Sequence, residues 1–395
     1  MKDLKRRNFL KLSGLSLVPA LLPSLTVNAH TLIAKTDPPA NPIISFTDDG
    51  IHYPPADYIA KLQEITQKDP IKADVYGQGG SLATLTKRFA EITGKEAATY
   101  MPTGTMANQL AISVLSGENT KIFVQDTSHI YRDEADAAES VYHKRLMPLA
   151  KGEPFFTLED LKAGIAFTND EEVFKSGIGA VAIENPVRRC DGRQVPIDEI
   201  KKISKYCREN GLKLHLDGAR LYLAAAASGV PIAEYAANFD TVYISLYKYL
   251  GADGGAILCG EKAVIDKMEH LIKVHGGTVF SNWSKAAMAL YHLDGLEDRL
   301  KKTFAQATDL FAKLNNVPGI SITALKGGSN IFDLKLTAGT DAKKFRRALF
   351  EKYNVMIRNA NGEGIIKLQI NETLLRTDNQ TLVKAFSEAL TAAKV

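Results

Sequence analysis

The chain predicts an α/β fold, with a large domain whose mostly parallel sheet is flanked by helices and a smaller C-terminal α/β domain. Three observations carry this. Short apolar runs of strand length, Ile122–Asp126, Ile178–Ile183, Leu212–Leu216 and Thr241–Leu246, are spaced widely enough for crossover helices. The stretch between Asp217 and Lys248, roughly thirty residues, fits one strand–helix–strand unit. The length of 395 residues holds a domain of roughly 250 residues and a smaller one. With 45% hydrophobic and 24% charged residues, disorder is not the default.

The N-terminus carries Arg6-Arg7-Asn8-Phe9-Leu10-Lys11, which has the form of a twin-arginine export motif. An apolar stretch, Leu12 to Leu25, follows, then a small-residue cleavage site, Val27-Asn28-Ala29. Pro19, Pro23 and the shortness of the stretch argue against a membrane span. The expectation is a signal peptide over 1–29 and a periplasmic or exported protein with no further membrane association. The alternative is a cytoplasmic protein with a basic tail or a buried helix there. The formal charge of +4 sits in this segment: Lys2, Lys5, Arg6, Arg7 and Lys11 against Asp3 leave 44 bases and 44 acids in the remainder. A neutral body without a basic patch interleaved with aromatics excludes nucleic acid as the expected partner.

Residues 30–42 read as a linker, 43–285 as the large domain and 286–395 as the small one. Pro54 to Gln67 has the pattern of an amphipathic helix. The turn Pro102-Thr103-Gly104-Thr105 opens a helix running to about Leu115. Helix starts expose unpaired N–H groups, which suit a phosphate. Gly104 allows close approach and Thr105 adds a hydroxyl, although a plain N-cap is the simpler alternative. His129 opens the helix after the Ile122–Asp126 strand, either as a capping residue or as a functional ring; Arg132, Asp133 and Glu134 extend a solvated face. The strand Ile178–Ile183 ends in Glu184-Asn185-Pro186, and Arg188 and Arg189 after it are either substrate-facing cations or a solvated turn.

Leu212, Leu214 and Leu216 alternate with Lys213 and His215 and run into Asp217, after which Gly218 turns into a small-residue helix ending at Gly229. Thr241–Leu246 is the next strand. Lys248 follows between Tyr247 and Tyr249, then a glycine-rich turn, Gly251 to Gly255, and a second strand, Ala256–Cys259. The lysine is either a surface residue in a hairpin or a desolvated amine able to attack a carbonyl. Crossovers are right-handed and return the chain beside the first strand, so Asp217 and Lys248 are expected at one edge of one parallel sheet, where such sheets bind ligands. An acid and a lysine together there fit pyridoxal 5′-phosphate. The lysine holds the aldehyde as a Schiff base, and the acid keeps the ring nitrogen protonated so that the ring acts as an electron sink. Cys190, Cys207 and Cys259 have no zinc spacing, and Cys259 reads as a small buried hydrophobe. After Trp283, two helices (to Leu293, then Leu296–Leu314) precede Ile320–Thr323, Ile331–Leu336, Ala342–Tyr353, Val355–Arg358, Ile365–Ile370 and Asn379–Ala393, read as alternating strands and helices.

The runs MPTGTMANQLAI, HLDGAR and SLYKYLG followed by GG and L-x-G resemble, in order and spacing, the low-specificity threonine aldolases. These belong to the wider β-eliminating lyase group of pyridoxal-phosphate enzymes with the transferase-like fold type I. The resemblance runs from about residue 43 to the end and is strongest between 74 and 260. It implies Lys248 as the covalent anchor, Asp217 on the ring nitrogen, His129 stacked on the ring and handling protons, and Arg220 near the phenolic oxygen. It further implies Gly104, Thr105, Tyr247 and Lys273 at the phosphate, Asn185 against the ring and Thr47 in the substrate segment. No metal is implied. The implied activity is that of a lyase on a small amino-acid substrate, cleaving Cα–Cβ of a β-hydroxy amino acid, threonine to glycine and acetaldehyde. β-Elimination, transamination, racemisation or a non-catalytic protein keeping the fold are the alternatives. A homodimer or homotetramer is expected, with Asp74-Val75-Tyr76-Gly77 approaching a neighbour's site. The chain departs from the pattern at Phe46 (usually arginine), at Val187 (usually a histidine able to take the hydroxyl proton) and at Lys367, where an arginine normally clamps the substrate carboxylate. Lysine lacks the planar two-pronged contact, and Arg358 nearby is the candidate substitute.

Overall fold

The computed structural model describes residues 42–394. The segment read as a twin-arginine signal, its expected cleavage site and all of the expected linker but Pro42 lie outside the described residues. Twelve strands form among those described: β1 (Ile44–Ser45), β2 (Ala97–Met101), β3 (Lys121–Gln125), β4 (Arg145–Leu149), β5 (Ile178–Glu184), β6 (Lys213–Asp217), β7 (Thr241–Ser245), β8 (Ala256–Gly260), β9 (Ile320–Ala324), β10 (Ile331–Leu336), β11 (Val355–Met356) and β12 (Ile365–Gln369).

Seven of them make one sheet in the order β2-β8-β7-β6-β5-β3-β4. β8 pairs antiparallel with β2 and β7, and the other pairings are parallel. β3, β7 and β8 are buried along their whole length, as strands covered on both faces must be. Successive side chains point to opposite faces, and the packing follows that period. Val242 and Ile244 join a core with Leu214, Leu216 and the helix Gly80–Thr93, whereas Tyr243 joins one with Leu110 and Ala111 of the helix Gly104–Ser116. β6 and β7 are adjacent and in register at Asp217 opposite Tyr243, with the helix Leu221–Ser228 between them in sequence. The expected crossover therefore exists and sets Asp217 and Lys248 at one sheet edge.

A second core gathers Leu334, Phe345, Leu368 and Phe386 around the antiparallel sheet β12-β10-β9. Ile44 and Phe46 pack there too, and β1 pairs in parallel with β11. The N-terminal segment, read from sequence with the large domain, thus packs into the small one. Burial of an apolar side chain explains the phenylalanine at position 46. The expected strand Val355–Arg358 shortens to two residues, and the helix expected at His129 covers only His129–Arg132. The chain leaves the helix at Asp133, with φ −126°, and Ala135 and Asp136 follow at φ 52° and 53°, a turn that brings Glu134 inward. Instead of lying on a solvated face, Glu134 is buried.

Candidate active site

Four strand ends supply the site. β5 ends in Glu184, β6 in Asp217 paired opposite it, and β3 in Gln125, which brackets the Glu184 peptide by donating to its O at 2.9 Å and accepting from its N at 2.7 Å. Lys248 follows β7. A cavity of about 280 Å3 forms over them, lined by Gly104, Thr105, His129, Asp217, Arg220, Tyr243, Tyr247 and Lys248 among others.

Its floor is a hydrogen-bond network centred on buried Asn108. Asn108 Nδ2 donates to Asp217 Oδ2 at 2.9 Å and to Glu134 Oε1 at 2.8 Å, and Asn108 Oδ1 faces His215 Nε2 at 2.9 Å. An amide oxygen only accepts, so His215 Nε2 carries a hydrogen and its Nδ1 accepts from Thr241 Oγ1 at 2.8 Å. Burial pushes the His215 pKa down to about 4, so the ring is neutral. Asp217 Oδ1 accepts from Ala219 N at 3.1 Å. Only neutral donors hold the Asp217 carboxylate among the described residues. A buried anion without a cation is costly, so it calls for a positively charged N–H partner from the cavity.

His129 is held at two points. Its backbone N donates to Glu184 Oε2 at 2.7 Å and its Nδ1 bonds Glu134 Oε1 at 2.9 Å. The Glu134 hydrogen bond raises the His129 pKa, against burial, which lowers it. Burial raises Glu134 in turn, and it raises Glu184 with the Asp217 charge adding to it. The nearest ligand atoms of His129, Glu134 and Asp217 lie within 4.8 Å of one another. Asn108 Nδ2 donates to both carboxylates, so the trio is knitted by hydrogen bonds.

The opposite wall is the start of the helix Gly104–Ser116. Thr103 caps it, its Oγ1 accepting from Met106 N at 3.1 Å. A Cβ at Gly104 would lie 2.0 Å from Tyr243 Oη. Only glycine lets the helix start reach this depth beside the tyrosine. Lys248 Nζ sits 4.8 Å from the centroid of the Tyr247 ring.

A larger cavity, about 540 Å3, shares Arg220, Tyr247 and Lys248 with the first and adds Thr47, His52, Arg188 and Arg358. A relay organises it: Arg220 Nε donates to Asp49 Oδ2 at 2.8 Å, Gln369 Nε2 donates to Asp49 Oδ1, and Arg358 Nη2 donates to Gln369 Oε1 at 2.6 Å and to the Thr47 carbonyl at 2.5 Å. Asp49 explains why an arginine opens a helix there against the dipole. The segment lies directly on the lysine: a Cβ at Gly50 would stand 2.5 Å from Tyr249 Cα and 2.8 Å from Lys248 O.

Thr47, Gly104, Thr105, His129, Asp217, Arg220, Tyr247, Lys248 and Arg358 therefore line the two joined cavities. Three expected residues do not. Lys367 is not on the lining; its Nζ is bound to Asp333 at 2.7 Å and, behind the larger cavity, to the lining residue Asp191 at 2.8 Å. Lys273 lines a separate cavity with Tyr76, its Nζ 5.7 Å from that ring. Asn185 is wholly buried behind the sheet edge, its Oδ1 accepting from Val195 N at 2.9 Å. The residues sequence reasoning missed are Asp49, Gly50, Asn108, Glu134 and Tyr243. All but Tyr243 act through a neighbour in the fold, so only Tyr243, alternating on a recognised strand, left a signal.

The fold and the site define a class, the fold-type I architecture of pyridoxal-phosphate enzymes. Residues 60–337 match the family described as beta-eliminating lyase, and the chain belongs to that family. It is 33% identical over 222 residues to the low-specificity L-threonine aldolase of Candida albicans, covering 56% of this chain and 59% of that one. The matches take in 59 to 62% of the length of this and two further curated relatives. A crystal structure from Exiguobacterium sp. 255-15, assigned as aromatic amino acid beta-eliminating lyase/threonine aldolase, superposes with a TM-score of 0.73 at 26% identity, covering 88% of this chain and 96% of that one. The Leishmania major threonine aldolase shares the fold at a TM-score of 0.67 and 22% identity, over 89% and 99%.

Pyridoxal 5′-phosphate is the cofactor of this fold and family, and the residues fit it. Lys248 offers the amine, Asp217 the unpaired buried anion for a protonated ring nitrogen, and the Gly104–Thr105 helix start the amides for a phosphate.

Proposed function

We propose that the protein is a pyridoxal-phosphate lyase that cleaves Cα–Cβ of a β-hydroxy amino acid, as in threonine to glycine and acetaldehyde. The observation that carries this is the convergence of Lys248, Asp217 and His129 on one cavity that opens into a second, arginine-lined one. When bound, the cofactor supplies an electron sink for the substrate's α-carbon. The chain does the rest. Lys248 holds the cofactor, and Asp217 holds the ring nitrogen's proton. Arg358, with Nε and Nη1 unbonded among the described residues, takes the substrate α-carboxylate in place of Lys367. His129, its Nδ1 fixed by Glu134, presents Nε2 to the cavity to take the β-hydroxyl proton in place of Val187. The test is release of glycine and acetaldehyde from threonine by the holoprotein, with Lys248→Ala abolishing both the release and the bound cofactor's visible absorbance. An unchanged absorbance in that variant would refute the assignment.

Val187 is wholly buried and apolar, which favours a second reading, transamination or racemisation on the same scaffold. Pyruvate formed from alanine, or loss of its optical activity, without aldehyde release from threonine would select it. The proposed homodimer or homotetramer is supported by exposed apolar side chains at Val75, Tyr76 and Phe280. Export through the twin-arginine route, proposed from Arg6 to Lys11, is tested by fractionation: the protein is expected outside the cytoplasm, and an Arg6→Lys/Arg7→Lys variant is expected to stay inside.

A further inference from the structure

The larger cavity holds more positive charge than a small neutral amino acid can use. Arg220 is tied to Asp49. Arg189 makes a two-pronged contact with Asp133, Nε to Oδ2 at 2.9 Å and Nη2 to Oδ1 at 2.5 Å. Among the described residues, the other two guanidinium groups on the lining are less fully engaged. Arg358 spends only Nη2, and on uncharged oxygens. Among the described residues Arg188 has one ion pair, to Asp133 at 3.6 Å, longer than a hydrogen bond and on a carboxylate that Arg189 already holds; its side chain is 53% exposed. Of the carboxylates on this lining, Asp191 is paired with Lys367, and Asp48 accepts from Ser45 Oγ and Thr47 Oγ1 at 2.9 and 2.7 Å.

Arg188 stands on a braced loop. Val187 N donates to Arg193 O at 2.8 Å, Ser329 Oγ to Gly192 O at 2.7 Å and Gln194 N to Gly327 O at 2.7 Å, while Lys367 grips Asp191. The lysine that stands where a carboxylate clamp is expected thus positions this loop. A cation on a braced backbone loses little freedom when it binds an anion.

An α-carboxylate on Arg358 leaves the other guanidinium, Arg188, with its long pair to Asp133 alone among the described residues. We infer that the second reads a second anion: the substrate is a β-hydroxy amino acid whose β-substituent ends in a carboxylate, and Arg188 determines that specificity. This rests on the lyase reading and names its substrate class. The Cα–Cβ bond breaks, the β-hydroxyl loses its proton as Cβ becomes an aldehyde, and the α-carbon gains a proton. The products are glycine and an aldehyde acid, with no co-reactant.

The test compares 3-hydroxyglutamate with 3-hydroxynorvaline, which replaces the terminal carboxylate by a methyl group, and with threonine. Both kcat/KM and calorimetric Kd are measured on the holoprotein. The acid is expected to be favoured at least about tenfold, the scale of one charge-assisted contact. Arg188→Met should bring the ratio toward one and Arg188→Glu should reverse it. Exposure of Arg188 lets both variants fold. A native ratio at or below one, or a ratio unmoved by Arg188→Met, overturns the inference. If no substrate releases glycine while the acid still binds more tightly through Arg188, the lyase reading falls and the anion site stands. Cleavage without preference does the reverse.

Discussion

His129 depends on a residue five positions away. Its Nδ1 faces Glu134, whose carboxylate also accepts from Asn108 and Gln109. An anion beside an imidazole favours the charged ring, so His129 keeps its proton to a higher pH than a free histidine, with Asp217 and Glu184 adding to the effect. Glu134→Gln keeps a hydrogen-bonding group and removes the charge. The His129 titration, followed by NMR of the ring, is expected to move to lower pH, and any acid limb of the pH–rate profile with it. An unmoved titration would show that Glu134 does not set the proton affinity of the ring. At this scale the sequence was legible where chemistry and position coincide. Lys248, Asp217 and His129 each sit beside a strand end or helix start that periodicity exposes. Glu134 was not legible, because a four-residue helix and two left-handed residues turn it inward, and no periodic pattern records that. Lys367 illustrates the opposite limit: its place in the chain pointed to substrate, but two aspartates from other elements take its charge.

The element that meets the cofactor end of the site is the helix Gly104–Ser116, and its approach is set by one missing Cβ. A methyl at Gly104 would overlap the Tyr243 hydroxyl and Cζ, at 2.0 and 2.5 Å. Tyr243 is buried on β7 and cannot swing away freely. Gly104→Ala is expected to cost ~1–3 kcal/mol, the scale of overpacking, and to weaken cofactor binding. Tyr243→Leu removes the obstructing ring atoms, so the double variant should recover part of the loss. Denaturant unfolding of the four proteins in a double-mutant cycle measures the coupling, and additive effects would show that the contact is not what excludes a side chain. The helix itself and the crossover from β6 to β7 were readable, because turn residues and apolar runs mark them. The close approach was not, since a glycine in a turn reads the same whether a tyrosine or open solvent faces it. Gly50 is a second case, its partner a backbone two hundred residues on.

The whole molecule leaves one face unaccounted for within the described residues. Around the cavity of Lys273 and Tyr76, Val75, Tyr76, Val279 and Phe280 are 54, 55, 45 and 64% exposed, and Tyr76 and Phe280 pack edge to face at 5.3 Å. Contiguous exposed aromatics with a positive charge among them mark an interface in soluble proteins. Pro102 lines both this cavity and the one over Lys248, so the face adjoins the phosphate end of the site. That placement was half legible: the segment from Asp74 to Gly77 stood out in sequence, but its partner, residues 272–282, came from a distant stretch that only the fold brings near. A second copy of the chain is the occupant proposed. Light scattering is expected to give two or four times the chain mass. Phe280→Glu puts a charge into the apolar patch without replacing a group that lines the Lys248 cavity, and is expected to lower the mass and, if the proposed second copy completes the phosphate end of the site, the cofactor affinity with it. A dissociated variant that binds the cofactor as tightly as the native protein would show that each site is complete within one chain. A native protein that is monomeric at micromolar concentration would remove the interface altogether.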